Sequence, residues 1–214
     1  MQGKLAYHSS RNAKPKSESV ELFLKEIFFA GRESHIRFSY KSQKRYIETN
    51  NGITFFAPVL AKIFPEAKFV HLIRPPLEFI VSGLKRNYYS GSAEDIKRIS
   101  TDIIFDEWKS TSQITKIAWL WHATNKFIMD FEKQYPCRIM VFPFQELNLK
   151  NVRSVIDFLE LSIADKSIQK EISKPVNVQK AGKAKSYENW GLKQKEEVRN
   201  LCRDIVNELN VKYE

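Results

Sequence analysis

The stretch KFVHLIRPPLEFIVSGLKR, from Lys68 to Arg86, holds the residues of this chain best suited to chemistry. An apolar run ends on Arg74, two prolines follow, and Ser82 stands eight residues after the arginine. A guanidinium group presents its donors as a planar fork that matches the oxygens of a phosphate. Prolines stop a strand and preset the first turn of a helix. A helix N-terminus carries unpaired backbone N–H groups and a partial positive charge, which suit an anion. A hydroxyl about a turn and a half into that helix can donate to the same anion. The pattern predicts a strand, a turn and a helix built around a phosphate group, with Arg74 and Ser82 as its ligands. The plainer alternative is an Arg74 paired with a nearby carboxylate and a Ser82 that only packs.

Such ligands need a sheet end to stand on, and the flanking patterns supply it. Lys68–Ile73, bounded by Pro65 and by Pro75-Pro76, reads as the principal strand. Residues 77–86 read as a helix whose first turn accepts Pro76 and gains from Glu78 at its positive end. CRIMVF at 137–142 is a second buried strand, and RYIET at 45–49 a short third one. Helical spacing groups Val20, Phe23, Leu24, Ile27 and Phe28 on one face, with Gly31 as a stop. TFFAPVLAKIF reads as a further helix, with Pro58 either in its first turn or kinking it. Residues 112–134 carry a stripe of Ile114, Ile117, Ala118, Trp121, Asn125, Ile128 and Phe131, ended by Pro136. Helices near 150–160, 164–172 and 189–209 close the chain. This alternation predicts an α/β fold: a parallel sheet flanked by helices on both faces. Ligands of such sheets bind outside the carboxyl ends of the strands, where Arg74 falls.

Composition narrows the partners. With 214 residues and 43% hydrophobic residues the chain can bury a real core. Residues 1–16 are read as a basic flexible arm and residues 17–214 as a single domain. The net charge of +10 favours an anionic partner. The basic residues are dispersed and no nucleic-acid-binding signature accompanies them, so nucleic acid is not expected. No apolar run reaches the roughly 20 residues of a membrane span. The N-terminus has no secretory apolar segment. Cys137 and Cys202 lack metal-ligand spacing, so no metal site is expected; a disulfide between them is one alternative, and a reduced, cytoplasmic protein is the simpler reading.

FPEAKFVHLIRPPLEFIVSGLKR closely resembles the 3′-phosphate-binding segment of the sulfotransferases that use 3′-phosphoadenosine 5′-phosphosulfate (PAPS). In that family an Arg, followed by Asp or Asn and then Pro, and a Ser eight residues past the Arg hold the 3′-phosphate. The matching positions are Arg74 and Ser82, with Pro75 in place of the acid or amide and Leu77 where a basic residue is common. RYIETNN is similar to the preceding strand of the family, and TKIAWLWHATNKFIMDF to its long Trp- and Asn-containing helix. RIMVFPFQELNLKNVRSVIDFLEL is similar to the strand, Tyr-Glu-Asp-Leu turn and helix that follow. Here the turn is Phe144-Gln145-Glu146-Leu147, without the Tyr hydroxyl and the first carboxylate. KPVNVQKAGKAKSYENW is similar to the basic loop that closes over the nucleotide just before a Trp. The resemblance covers most of residues 44–213.

The resemblance implies a P-loop NTPase-like sulfotransferase fold. It also implies transfer of a sulfonate group from PAPS to a hydroxyl or amine of a small-molecule or glycan acceptor. The product would be 3′-phosphoadenosine 5′-phosphate (PAP). Lys180, Gly182, Lys183 and Lys185 would join Arg74 and Ser82 on the nucleotide, Gly182 by allowing close backbone approach. Glu48 is the candidate general base, against the alternative of a solubilising strand-end charge. His71 is expected buried and hydrogen-bonded, and His122 at the surface or facing a cleft. Phe144 is either an adenine platform or core, and Trp119 and Trp121 are core. For the 5′-phosphosulfate loop, Pro15-Lys16-Ser17 fits by letter and a helix follows. However, Glu18 takes the glycine position and no apolar strand precedes. The resemblance then implies a fold incomplete at its N-terminus. It also keeps open an alternative, a truncated, non-catalytic domain that binds a nucleotide or a sulfated glycan.

Overall fold

The computed structural model describes residues 18–91, 108, 110–174 and 187–213. The chain divides into two compact units, Met1–Ala67 and Lys68–Glu214. Seven α-helices and two strands lie among the described residues.

In the first unit, α1 (Glu18–Lys41) is followed by a 3-10 turn (Asn51–Phe56) and α2 (Ala57–Ile63). Leu24 and Phe28, one turn apart on α1, are buried with Phe56, Val59, Leu60 and Ala61. Phe64 seats its ring 6.2 Å from Phe28 and 6.1 Å from Phe29. Pro58 sits in the first turn of α2, where its missing N–H costs nothing. Three expectations change. Phe23 is 53% exposed, outside the buried stripe. Gly31 does not stop α1, which runs on to Lys41. No neighbouring atom lies within 4 Å of where its Cβ would be, so Gly31 is a half-buried helical residue that packs closely on nothing. Its cost of about 1 kcal/mol against Ala is spread over a 24-residue helix. RYIET is not a strand, because residues 44–50 enter no ladder among the described residues. Tyr46 and Glu48 fall on one side of that extended backbone and bond to side chains instead.

The second unit contains β1 (Phe69–Ile73), α3 (Pro76–Lys85), α4 (Gln113–Gln134), β2 (Ile139–Pro143), α5 (Leu149–Phe158), α6 (Asp165–Ile172) and α7 (Leu192–Glu208). The two strands pair in parallel, from Phe69 opposite Ile139 to Ile73 opposite Pro143. Parallel neighbours need a crossover, and α4 lies within it. It runs back along β1. Phe131 meets Phe69 at 5.0 Å between ring centroids, Asn125 meets His71 at 2.8 Å, and Trp121 reaches Arg74 at 2.9 Å. Ile73, Leu77, Ile80, Ile117, Trp121, Val198, Cys202 and Ile205 form one buried cluster from β1, α3, α4 and α7. Each fully buried Ile contributes about 1.5–3 kcal/mol. Met129, rather than the expected Ile128, completes the buried stripe of α4.

Gly83 sets the distance between α3 and α4. A Cβ there would stand 2.8 Å from Ile117 Cγ2 and 3.2 Å from Tyr88 Cδ2. Along β1, His71 and Ile73 are buried on the core side, while Val70 and Leu72 are 36% and 55% exposed. The expected helical cover on both faces is therefore seen on one face of β1 among the described residues. No described helix is long and apolar enough to cross a membrane.

Candidate functional site

The register of the sheet builds the site. Because Ile73 stands opposite Pro143, the next residues, Arg74 and Phe144, leave the two carboxyl ends side by side. The Arg74 guanidinium carbon lies over the Phe144 ring, 4.2 Å from its centroid. Ring and cation attract through the ring quadrupole. Arg74 is exposed, and no carboxylate pairs with it among the described residues. Phe144 is half-buried, and the ring face that was expected to meet adenine or the core carries Arg74.

The backbone of Arg74 is held from below. The Trp121 indole Nε1–H donates to the Arg74 carbonyl at 2.9 Å. One turn on, the Asn125 Nδ2 donates to the Trp121 carbonyl at 2.7 Å. That fixes Asn125 Oδ1 as the acceptor facing His71 Nε2 at 2.8 Å. His71 must then carry its proton on Nε2, as the network assigns it. His71 Nδ1 is buried without a partner. Burial holds the His71 pKa below its ordinary value, with the Asn125 bond opposing only in part. The imidazole is neutral, as befits a core position. Sequence reasoning placed His71 and Trp121 in the core, and both are there. It missed the polar chain between them, whose signal was an Asn on an apolar stripe four residues after a Trp.

The start of α3 offers an anion less than the sequence suggested. Pro75 and Pro76 have no N–H, and Pro75 supplies no side-chain cap. The Leu77 N–H points to the Tyr213 carbonyl at 3.5 Å. Charge and donors at this end of β1 therefore come chiefly from the Arg74 side chain. Ser82 lies on the second turn of α3, half-buried, and its hydroxyl has no partner among the described residues. Next to it, Gly83 packs on α4, so the helix that carries Ser82 is fixed against the helix that carries Trp121.

Glu48 belongs to the first unit and is anchored. Its carboxylate accepts from Arg32 Nε, from the Tyr46 hydroxyl at 2.8 Å and from the Asn50 N–H at 3.0 Å. Partial burial works against the ionised form, but these bonds together hold the Glu48 pKa below the usual carboxylate range. Burial, then the Glu48 bond, pushes the Tyr46 hydroxyl up to about 12. A carboxylate with three donors and a depressed pKa is a weak proton acceptor. Arg32 was not a sequence candidate, because sixteen residues and a helix end separate it from Glu48.

His122 sits 3.7 Å from Asp204 through Nδ1 and lines a shallow groove with Asn200, Arg203 and Asn207. Trp119 packs edge-on against Trp108 at 5.1 Å. Cys137 and Cys202 are free thiols. Cys202 is buried, and burial, with the charge of Asp204, pushes its thiol up to about 12. Lys180, Gly182, Lys183, Lys185 and Pro15-Lys16-Ser17 lie outside the described residues. Among the described residues no group of three or more His, Cys, Asp or Glu could hold a metal ion.

Residues 4–165 match the model of the Sulfotransferase family. The match extends further toward the N-terminus than the resemblance read from residues 44–213, and it stops before the basic loop at 175–186. No curated protein and no solved structure matches the chain. The matched range is most of the chain and includes Glu48, Arg74, Phe144 and Ser82. A family match of that extent, running through the strand ends that place Arg74 against Phe144, makes this chain a member of the sulfotransferase family.

Proposed function

We propose that the chain binds a 3′-phosphoadenosine nucleotide at the carboxyl end of β1 and transfers the sulfonate group of PAPS to a hydroxyl or amine. The observation that carries this reading is Arg74: a strand-end guanidinium held by its face, with no carboxylate partner among the described residues. Ser82, whose hydroxyl is unengaged among the described residues, is the second ligand of the 3′-phosphate. Lys180, Gly182, Lys183 and Lys185 close over the nucleotide in this proposal, and the P-loop NTPase-like arrangement belongs to it as well. The acceptor oxygen or nitrogen attacks sulfur in line with the bond to the 5′-phosphate. A new bond to sulfur forms, the sulfur–oxygen bond to the phosphate breaks, PAP leaves with that electron pair, and the acceptor proton passes to a base. Glu48 serves as that base only if the Arg32 and Tyr46 bonds open, so while they are made we assign it an anchoring role.

Calorimetric titration with PAP and, in parallel, with 5′-AMP tests the site. The wild type is expected to prefer PAP, and Arg74→Ala to erase the preference. Equal binding of both nucleotides by the wild type would sink the 3′-phosphate assignment. Glu18 at the expected glycine position favours the second reading, nucleotide or sulfated-glycan binding without turnover. Release of PAP from PAPS on adding a panel of hydroxyl and amine acceptors separates the two.

A further inference from the structure

We propose that Phe144 is a positioning residue for Arg74, holding the guanidinium by its face so that its edge stays assembled for a phosphate monoester. The inference rests on the nucleotide reading above and adds to it the residue that makes the site selective for the 3′-phosphate. A guanidinium has two separable surfaces. Its faces stack on rings, and its in-plane N–H groups form hydrogen bonds, so one does not compete with the other. Arg74 uses the face: its central carbon is 4.2 Å from the Phe144 centroid.

A carboxylate neighbour would also fix the side chain, but it would occupy the edge donors and cancel the charge. No such neighbour exists among the described residues, and a phenyl ring brings no acceptor of its own. An exposed arginine otherwise carries rotamer entropy that a ligand would have to quench. Both ends of the residue are thus set in advance. The carbonyl is set by the Trp121 indole, and the guanidinium by Phe144. The ring is itself placed by the Ile73–Pro143 register and by the 3-10 turn Phe144–Glu146, where the Leu147 N–H donates to the Phe144 carbonyl at 3.2 Å.

The test is calorimetric titration with PAP and 5′-AMP of the wild type, Phe144→Leu, Phe144→Trp, Arg74→Ala and the Arg74→Ala/Phe144→Leu double variant. Phe144→Leu keeps apolar bulk and removes the ring. It is expected to weaken PAP binding about three- to ten-fold while AMP binding stays put. Phe144→Trp is expected to keep the preference for PAP. On the Arg74→Ala background the leucine is expected to change nothing further. An unchanged PAP-to-AMP ratio in Phe144→Leu overturns the inference. So does an equal loss of both ligands, or the same loss on the Arg74→Ala background. A wild type that prefers PAP while Phe144→Leu prefers it equally defeats this inference alone. A wild type without preference defeats the nucleotide reading and this inference together. Should Phe144→Leu fail to fold, Phe144→Met removes the ring in its place, with the same outcomes.

Discussion

His71 is buried, neutral and bonded through one nitrogen, with the other nitrogen buried and unpartnered. Its folded pKa is depressed below 6.5, so the stability this gives is fully present above about pH 6.5 and lost as pH falls below it. Thermal melts between neutral and mildly acidic pH are expected to show that loss. His71→Gln keeps a donor for Asn125 but cannot titrate, and its curve is expected to lack the step. Glu48 obeys the same sign at lower pH. Its depressed pKa stabilises the fold above the ordinary value of 4.5, and that contribution disappears as pH falls through the folded value. Glu48→Gln should cost roughly 1–3 kcal/mol at neutral pH by denaturant melts, because Arg32 loses a charged acceptor. The gap to the wild type should narrow below pH 4.5. At this scale the sequence singled out Arg74 and Ser82 as candidates, because their spacing is local. The Arg74–Phe144 and Arg32–Glu48 pairs were invisible, because each depends on where two distant segments come to lie.

The elements were legible where a period was strong. α4 carries its apolar stripe over six turns, and β1 is bracketed by prolines, so both emerged close to their observed limits. Gly31 suggested an early end to α1, but a glycine stops a helix only when it takes the left-handed conformation itself, and Gly31 does not. Here the left-handed residue is Gln43, at φ 52°, twelve residues on. RYIET has strand composition but joins no strand ladder among the described residues, and composition says nothing of pairing. The contact between α3 and α4 yields a prediction of its own. Gly83→Ala drives a methyl into Ile117, and overpacking of this kind costs about 1–3 kcal/mol. Thermal denaturation should show a lowered midpoint. Because Ser82 adjoins the contact, PAP affinity should fall as well.

For the whole molecule, the net charge of +10 and the two thiols give separate handles. PAP carries one phosphate more than 5′-AMP, so rising salt should weaken PAP binding more steeply than AMP binding. Titration with a thiol reagent under native conditions should show one fast thiol, Cys137, and one that reacts only on unfolding, Cys202. Two fast thiols would mean that the core around α7 opens readily.

The antiparallel run of α4 along β1 has a consequence for how this chain can vary. Ten residue steps along α4, Trp121 to Phe131, are matched to five steps from Arg74 back through β1 to Phe69, by three contacts. That is about 15 Å of helix against about 17 Å of strand, so the two rulers agree end to end. A residue inserted or deleted between these contacts would shift one ruler by a step that the other cannot copy, and it would rotate Trp121 or Asn125 away from β1. Length changes should therefore be rejected inside either ruler, Phe69–Arg74 or Trp121–Phe131, and better tolerated in turns outside them. Indel scanning read out by soluble yield would map the edges of the helical ruler to the rungs at Trp121 and Phe131.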